Sequence, residues 1–474
     1  MVRTTLFARP ALALAAALAT VSGAALLTAP AIAAAKKPEP AKAKYSKPFQ
    51  AAAVPLDKVI ADANKRPDVA AAIQAAEDAR LALNNVRGAA NRTAATAKHT
   101  AAIAALGATL APERAQLEAV NAVATTPDDK LYAGQMYIRL GALAQDFAMQ
   151  RRGVQAMIDS GQIAAAELPR MQYSLGSLAY DAKDYAAART ALGSAIAGGY
   201  TANGAQALLA EAHLVDGQVP LGLQLLKKAI TDERAAGRVP LANWYKRGIG
   251  AAYTAKLVDD AVWFSTGLVE NYPSKEHWAG AIAIIREVAK YGPQETLDLM
   301  RLMHRTESFQ DERDYVEYIE AADGRRSPGE VIKIIKLGLA ASKLRTDDIF
   351  VAEQRRNAEG RLVADTASLP GLDREARSAS ATAATTMAAG DAFLSYDQPA
   401  KAAELYAVAL GKPGVDSARA LTRLGIAQYD LGQLAEAEAT FAKVTGPRQA
   451  TAKLWILQTQ IKRRPAAAAA PAAP

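Results

Sequence analysis

Small and apolar residues recur along the middle of the chain in pairs of short helical patterns, each pair split by a polar turn. The clearest pair is LGIAQYDLGQLAEAEATFAKV, residues 424–444, in which the turn sequence DLG separates the two halves. Gly425 and Ala437 stand where the two helices would touch, and Phe441 follows four residues after the alanine. Apolar positions spaced three and four residues apart are typical of amphipathic helices, so this stretch predicts a helix hairpin.

The same arrangement recurs at a fixed interval earlier in the chain. It occurs in YSLGSLAYDAKDYAAARTALGSAI, and adding 34 to its key positions gives those of LLAEAHLVDGQVPLGLQLLKKAI. The matching positions are Leu175, Gly176, Ala188 and Leu192 in the first copy and Leu209, Ala210, Gly222 and Leu226 in the second. A period of 34 residues with helix–turn–helix content is the tetratricopeptide spacing. This part of the sequence resembles tetratricopeptide repeat (TPR) proteins.

Looser copies extend the resemblance over residues 128–345, with the best repeats at 172–230, and over residues 384–463, which we interpret as a TPR pair and a capping helix. The resemblance implies an all-α fold, an α-solenoid in which helix–turn–helix repeats form a right-handed superhelix. The first (A) helix of each pair would line its inner wall. Small residues would let the A helix lie against the second (B) helix, and Phe441 and its counterparts would fill the gap to the neighbouring repeat.

The remaining segments differ in composition from the repeats. Residues 56–125 are alanine-rich with leucines at helical spacing, which predicts an N-terminal segment of two or three long helices. Residues 34–55 are rich in lysine, proline and alanine and predict an extended tether. Residues 346–383 predict an irregular helical connector, and the Pro/Ala sequence of residues 464–474 predicts a disordered tail.

The first 33 residues have the features of a cleaved export signal. Arg3 and Arg9 form a basic start, residues 11–29 are an uncharged apolar run, and the small-x-small sequence AIA ends at Ala33. We therefore expect a periplasmic or secreted protein, with peripheral attachment to the envelope as a further option. An uncleaved membrane anchor is the alternative, and the absence of cysteine rules out a lipoprotein anchor.

Composition and charge exclude several classes of function. The chain contains no cysteine, which excludes disulfides, thiolate metal sites and cysteine nucleophiles. Its formal charge of +8 falls to 8 − 2 = +6 without the two arginines of the leader, which is mild for 474 residues. Nucleic-acid binding needs a concentrated basic face with interleaved aromatic residues, so we expect no nucleic-acid partner.

The resemblance implies that side chains on the inner face of the A helices hold a partner's peptide or helix, so we expect other envelope proteins as partners. Tyrosine recurs at these positions and offers contact area at a low entropy cost, although tyrosines that shield neighbouring turns are an equal alternative. The matching residues of this chain are Tyr173, Ser177, Tyr180, Asp181, Glu211, Lys246, Tyr253, Thr422, Tyr429 and Asp430.

Residues that could carry chemistry are few. His213 has no second histidine or cysteine at helical spacing, and we predict no metal site and no cofactor. In HRTESFQ, Glu307 precedes a serine as the catalytic glutamate of lytic transglycosylases does, but the glycine-rich continuation of that family is missing. We therefore predict a non-catalytic scaffold. The alternatives are an enzyme or accessory protein of cell-wall or glycan metabolism and a structural part of an outer-membrane assembly or secretion complex.

Overall fold

The computed structural model describes residues 43–464. The predicted leader, the first part of the predicted tether and the Pro/Ala tail from residue 465 lie outside the described residues. Between residues 43 and 464 the chain forms 22 α-helices and no β-strand, which confirms the predicted all-α class. The chain divides into two compact units between Arg238 and Val239, and each unit is described by itself.

Unit 1 contains ten α-helices in its described residues, 43–238. The helices are α1 (Lys47–Asp62), α2 (Pro67–Asn85), α3 (Ala89–Thr109), α4 (Ala111–Ala122), α5 (Pro127–Leu143), α6 (Phe147–Asp159), α7 (Leu168–Asp181), α8 (Tyr185–Ala197), α9 (Ala205–Val215) and α10 (Val219–Ala235). Three successive hairpins, α5/α6, α7/α8 and α9/α10, each pack against the next one. Helices α2 and α3 form a further hairpin, and α1 packs on α4 and α5.

Unit 2 contains twelve α-helices in its described residues, 239–464. The helices are α11 (Ala242–Thr254), α12 (Val258–Asn271), α13 (Lys275–Ala289), α14 (Pro293–Arg305), α15 (Glu312–Ala322), α16 (Pro328–Ala340), α17 (Ile349–Ala376), α18 (Ala383–Ser395), α19 (Pro399–Leu410), α20 (Ser417–Asp430), α21 (Leu434–Phe441) and α22 (Gln449–Arg463). Each helix contacts its successor in the chain. In addition, α22 reaches back to α12 and α14, so the end of unit 2 packs on its beginning.

The small residues of the repeat pattern lie where two helices of one hairpin touch. A Cβ atom on Gly176 would come within 2.6 Å of Leu192, and a Cβ atom on Gly425 would come within 2.5 Å of Phe441. These distances leave no room for a side chain, so the close approach requires glycine. Phe441 was expected to fill the gap to the neighbouring element. It does so by stacking on Trp455 of α22, with ring centroids 5.5 Å apart, and it also packs within its own hairpin.

In six helix hairpins the turn between the two helices contains one residue with left-handed backbone geometry. Glycine fills this position at Gly217 and Gly432, whereas Gln145, Lys183, Lys256 and Asp397 fill it in other hairpins. At Gly432 the next amide, that of Gln433, donates to the carbonyl of Gln428 at 2.9 Å, five residues back. This is the hydrogen-bond pattern of a Schellman C-cap. The backbone therefore adopts the same turn even where the sequence lacks glycine.

Changing the residue at this turn position is expected to alter stability in opposite directions. Gly432→Ala should lower the free energy of unfolding by about 1 kcal/mol, because a Cβ is strained at φ 76° although no atom lies nearby. Lys183→Gly should raise it by about 0.5 kcal/mol, since relief of strain at φ 65° exceeds the entropy cost of glycine. Urea denaturation of the two variants measures both changes. A loss of stability in Lys183→Gly would contradict the strain argument.

Helix α1 corrects the prediction that residues 34–55 form an extended tether. Residues 47–55 belong to a helix that begins after Ser46, whose Oγ accepts the amide of Phe49 at 3.4 Å. Buried apolar residues recur along it at spacings of three and four, which is the stripe of an amphipathic helix. They are Phe49, Ala53, Leu56 and Ile60. Within the described residues, an extended segment is limited to 43–46.

Helix α17 differs from the irregular connector that we predicted for residues 346–383. It is one continuous helix of 28 residues, with Asp348 as its N-cap and Pro370 inside it. Its apolar stripe is too sparse to be recognised from the sequence, because the buried positions are seven or eleven residues apart. They are Val351, Ala358, Leu369 and Ala376.

Candidate partner-binding surface

Three of the predicted groove tyrosines occupy the same place near the end of an A helix. Tyr180, Tyr253 and Tyr429 each stand three residues before the left-handed turn residue of their hairpin, which is Lys183, Lys256 and Gly432 in turn. Their exposure nevertheless differs widely: Tyr429 is 3% exposed and Tyr253 is 54% exposed. The residues around each ring therefore decide whether the position is open to a partner.

Tyr429 is covered by helix α22 of the same chain. The side-chain amide of Gln458 donates to its hydroxyl at 3.0 Å, and the Trp455 ring meets it edge-on with centroids 5.3 Å apart. The Lys462 ammonium lies 4.2 Å from the ring centroid. Residues 455, 458 and 462 are spaced i, i+3 and i+7, so they share one face of α22. The chain's own last helix thus occupies this predicted groove position.

The two other predicted contact residues of α20 are also engaged within unit 2. Asp430 forms an ion pair with Arg305 of α14, with Nη2 and Oδ2 2.6 Å apart. Thr422 is fully buried, and its hydroxyl donates to the carbonyl of Ala418 at 2.7 Å. Partner binding by these residues stays a prediction, and the structure places them in contact with their own chain.

A buried network of charges fastens the last helices of unit 2 to α14. Asp298 lies at its centre and is fully buried. Its carboxylate pairs with Arg301 and Arg423, each with the nearest N and O atoms 3.1 Å apart, and also with Arg448. Trp455 Nε1 donates to the Asp298 carbonyl at 3.2 Å. These contacts join residues from α14, α20 and α22, so buried charges hold the three helices together.

The network extends to further ion pairs that balance its charge. Among residues 239–464, the pairs connected to Asp298 join four carboxylates with four guanidinium groups: Glu295, Asp298, Glu330 and Asp391 with Arg301, Arg419, Arg423 and Arg448. Burial alone would raise the pKa of Glu330, but the attraction of Arg301, 2.7 Å away, lowers that pKa to about 2. We call these eight residues the charge cluster.

The predicted groove residues of unit 1 are mostly covered. Tyr173 is buried against Tyr200, with ring centroids 4.8 Å apart, and its hydroxyl donates to the carbonyl of Asn203 at 3.3 Å. Burial raises the pKa of Tyr173 to about 12. The other four positions range from buried Ser177 and Glu211 through half-buried Tyr180 to exposed Asp181. On α7, Tyr173 is therefore packed against Tyr200 of the loop after α8. Among the predicted contact residues of α7, Asp181 is the exposed one.

Helix α1 contacts an exposed A-helix residue that the repeat pattern did not identify. Arg139 of α5 stands six residues before the left-handed Gln145, as Ser177 stands six before Lys183. It forms an ion pair with Asp57 of α1. The register of the repeats could have identified Arg139, but no local pattern in the sequence indicates that α1 packs on α5. Helices α5 and α20 thus both contact another helix of the chain at this register.

Lys246 and Tyr253 of α11 remain open. Both side chains are exposed, and they lie on one face of the helix, seven residues apart. Gly250 stands between them, and a Cβ atom built on it would meet no atom within 4 Å. This face of α11 is the exposed part of the predicted groove in unit 2.

Glu307 has the wrong environment for the general acid of a glycosidase. Its carboxylate is exposed and pairs with the Lys275 ammonium at 2.7 Å, and this hydrogen bond lowers the pKa of Glu307. A proton donor for glycosidic cleavage needs a raised pKa in an apolar pocket. Nothing around Glu307 therefore supports catalysis at this residue.

His304 is a half-buried titratable group, with both ring nitrogens shielded from solvent, that the sequence did not single out. Burial lowers the pKa of His304 to about 4, because it disfavours the charged imidazolium. Neither ring nitrogen has a hydrogen-bond partner within residues 43–464. The neutral form is therefore the one that the fold accommodates.

We expect His304 to make the fold sensitive to mild acid. Because the folded pKa lies below the unfolded value, this contribution to stability is complete above about pH 6.5 and declines as the pH falls toward 4. The loss should reach about 3 kcal/mol across that window. In His304→Leu the decline should be smaller by that amount, as measured by urea denaturation at several pH values. Parallel pH curves for the two proteins would refute the assignment.

Within residues 43–464, no helix is both long and apolar enough to cross a membrane. In the same range, no three histidine or acidic side chains gather as a metal site would require.

The residues described here define an all-helical protein built from consecutive helix hairpins. No family model matches the chain, and no curated protein matches it by sequence. Among solved structures, the TPR domain of P58(IPK) is similar over 71% of this chain and 99% of that chain, at 13% identity and a TM-score of 0.23. A similarity this low carries no argument, so the description of the repeats rests on their own packing.

Proposed function

We propose that this chain is a non-catalytic scaffold of the TPR type that binds peptides or helices of other proteins through exposed A-helix faces. The observation that carries the proposal is the contrast between two tyrosines in the same register. Tyr429 is covered by helix α22 of its own chain. Tyr253 is more than half exposed at the same position of its own hairpin. An exposed aromatic side chain of this kind is a common anchor of protein interfaces.

A photo-crosslinking amino acid at position 253 of the full chain tests this proposal in the native host. Specific proteins should be captured through position 253, and each should then bind the purified chain and lose affinity on Tyr253→Ala. Position 363 serves as the control, because Val363 is 82% exposed on α17, outside the hairpin that carries Tyr253. Equal capture from both positions, or none from 253, would remove the proposal.

We further propose that the protein works in the bacterial envelope, with envelope proteins as its partners. The support is the leader pattern with Arg3, Arg9 and the AIA sequence before residue 34. N-terminal sequencing of the protein from its host should give a start after Ala33, and fractionation should recover it with periplasmic or secreted proteins. If the protein instead keeps its first 33 residues and is found in the membrane fraction, the N-terminal segment acts as an uncleaved membrane anchor.

A further inference from the structure

Helix α11 presents a narrow cationic face that is open to solvent. Asn243, Lys246, Gly250 and Tyr253 follow one another at spacings of three and four, so they lie on one side of the helix. Lys246 and Tyr253 are about 10 Å apart along the axis, at 1.5 Å per residue. We call Lys246, Gly250 and Tyr253 the α11 strip. Lys256 follows in the turn, three residues after the tyrosine, and is also exposed.

Two lysines give this face its positive charge. Neither Lys246 nor Lys256 forms an ion pair with any residue between 43 and 464. A lysine whose charge is unpaired beside an exposed aromatic ring favours a partner segment of opposite charge, since complementary potentials orient and stabilise an interface. The exposed glycine has no packing role in this chain, because open space surrounds its Cβ position.

In helix α20 the same register contacts cationic side chains from two other helices, α14 and α22. There the tyrosine is followed by an acid, Asp430, and the groups that cover the pair are cationic: Lys462 lies over the Tyr429 ring and Arg305 binds the Asp430 carboxylate. On α11 the acid is absent, because Thr254 follows the tyrosine, and Lys246 and Lys256 stand seven residues before it and three residues after it. The complementary helix for α11 therefore carries acidic residues.

We infer that the α11 strip is a docking site for an acidic amphipathic helix of a partner protein, an inference that rests on the proposed scaffold function. An apolar or amide side chain of the partner packs on the Tyr253 ring. A glutamate or aspartate two helical turns away, at i+7, pairs with Lys246. The missing side chain at Gly250 lets the two helix backbones approach closely between these contacts.

Synthetic helical peptides of about 20 residues, long enough to hold a helix, test the inference with the full chain. The first peptide carries leucine and glutamine three residues apart and glutamates two turns from the leucine. The second differs only by lysine at the glutamate positions. Fluorescence anisotropy should show the glutamate peptide binding at least about tenfold more tightly than the lysine peptide, with the difference shrinking at high salt.

Variants of the strip locate the binding. Lys246→Glu should reverse the preference between the two peptides. Tyr253→Ala should lower the affinity for the glutamate peptide by about tenfold or more. Lys336→Glu is the matched control, since it reverses an exposed lysine of the same unit on helix α16 and should leave both affinities unchanged. Equal binding of the two peptides, no binding of either, or an unchanged preference in Lys246→Glu would overturn the inference.

The crosslinking experiment at position 253 separates this inference from the scaffold function itself. If the captured partner segments are acidic helices, both proposals stand. Should the captured segments be basic or neutral, the scaffold function stands and the acidic-helix inference fails. Capture of no protein removes the scaffold function, while the peptide affinities still decide the charge preference of the strip.

Discussion

Asp298→Asn should lower the free energy of unfolding of unit 2 by about 3–5 kcal/mol. The substitution preserves shape but removes one of the four carboxylates of the charge cluster, so the cluster acquires a net positive charge. Arg301 and Arg423 each retain a second carboxylate, Glu330 and Asp391, but they then face each other across a neutral amide. A buried charge without compensation is far more costly than an exposed one, because the protein interior screens it poorly.

Urea denaturation and hydrogen exchange of the full-length protein measure this effect. The amides of α14 and α20 should lose protection together, because Asp298 and Arg423 join these two helices. Glu307→Gln is the matched control, since it removes the carboxylate of an exposed pair with Lys275 and should leave the stability nearly unchanged. If Asp298→Asn were no worse than this control, the charge cluster would not be what holds the helices together.

Trp455→Ala is the second substitution with a large expected effect, again about 3–5 kcal/mol. The indole is fully buried between Phe441, on which it stacks, and the edge of Tyr429, and its N–H bonds the Asp298 carbonyl. Its removal leaves a cavity among aromatic rings and frees a buried carbonyl. Both effects weaken the packing of α22 against the rest of unit 2.

Removing the Trp455 side chain should also expose Tyr429 to solvent. A cavity confined to the site of the indole would not have this effect. In Trp455→Ala, the Tyr429 region and α22 should exchange hydrogen faster than α18 and α19, which lie earlier in unit 2. Val363→Ala on α17 is the control for truncation at an exposed site and should change stability by less than about 0.5 kcal/mol. Uniform loss of protection throughout unit 2 would contradict a role of Trp455 in seating α22.

The hairpins could be predicted from the sequence because their determinants are local. Gly176 and Leu192, like Gly425 and Phe441, lie 16 residues apart, and the period of the pattern places them against each other. Helix α1 was missed for a different reason. Its lysines, prolines and alanines suggest an extended chain, while its helical stripe from Phe49 to Ile60 is short and interrupted by Pro55.

The contacts that cover Tyr429 and Asp430 could not be predicted, because they depend on residues far apart in the sequence. Asp298 and Arg423 are 125 residues apart, and no periodicity relates them. The one available signal was local: Asp298 and Arg301 interrupt the otherwise apolar face of LDLMRLM, where buried charges need partners. That signal indicates that ion pairs exist and does not identify them. The exposure of Tyr253, in contrast to Tyr429, follows from this long-range packing.

The backward contacts of α22 also bear on the order in which unit 2 can fold. A simple repeat array gains stability step by step, because each repeat contacts only its neighbours. Here Asp298 bonds Arg448 and Trp455, 150 and 157 residues further along the chain. Contacts this distant in sequence slow folding, since a long loop must close before they form. The cluster residues of α14 therefore lack their full set of partners until α22 has been synthesised, so the buried charge pairs are completed only when nearly all of unit 2 is available.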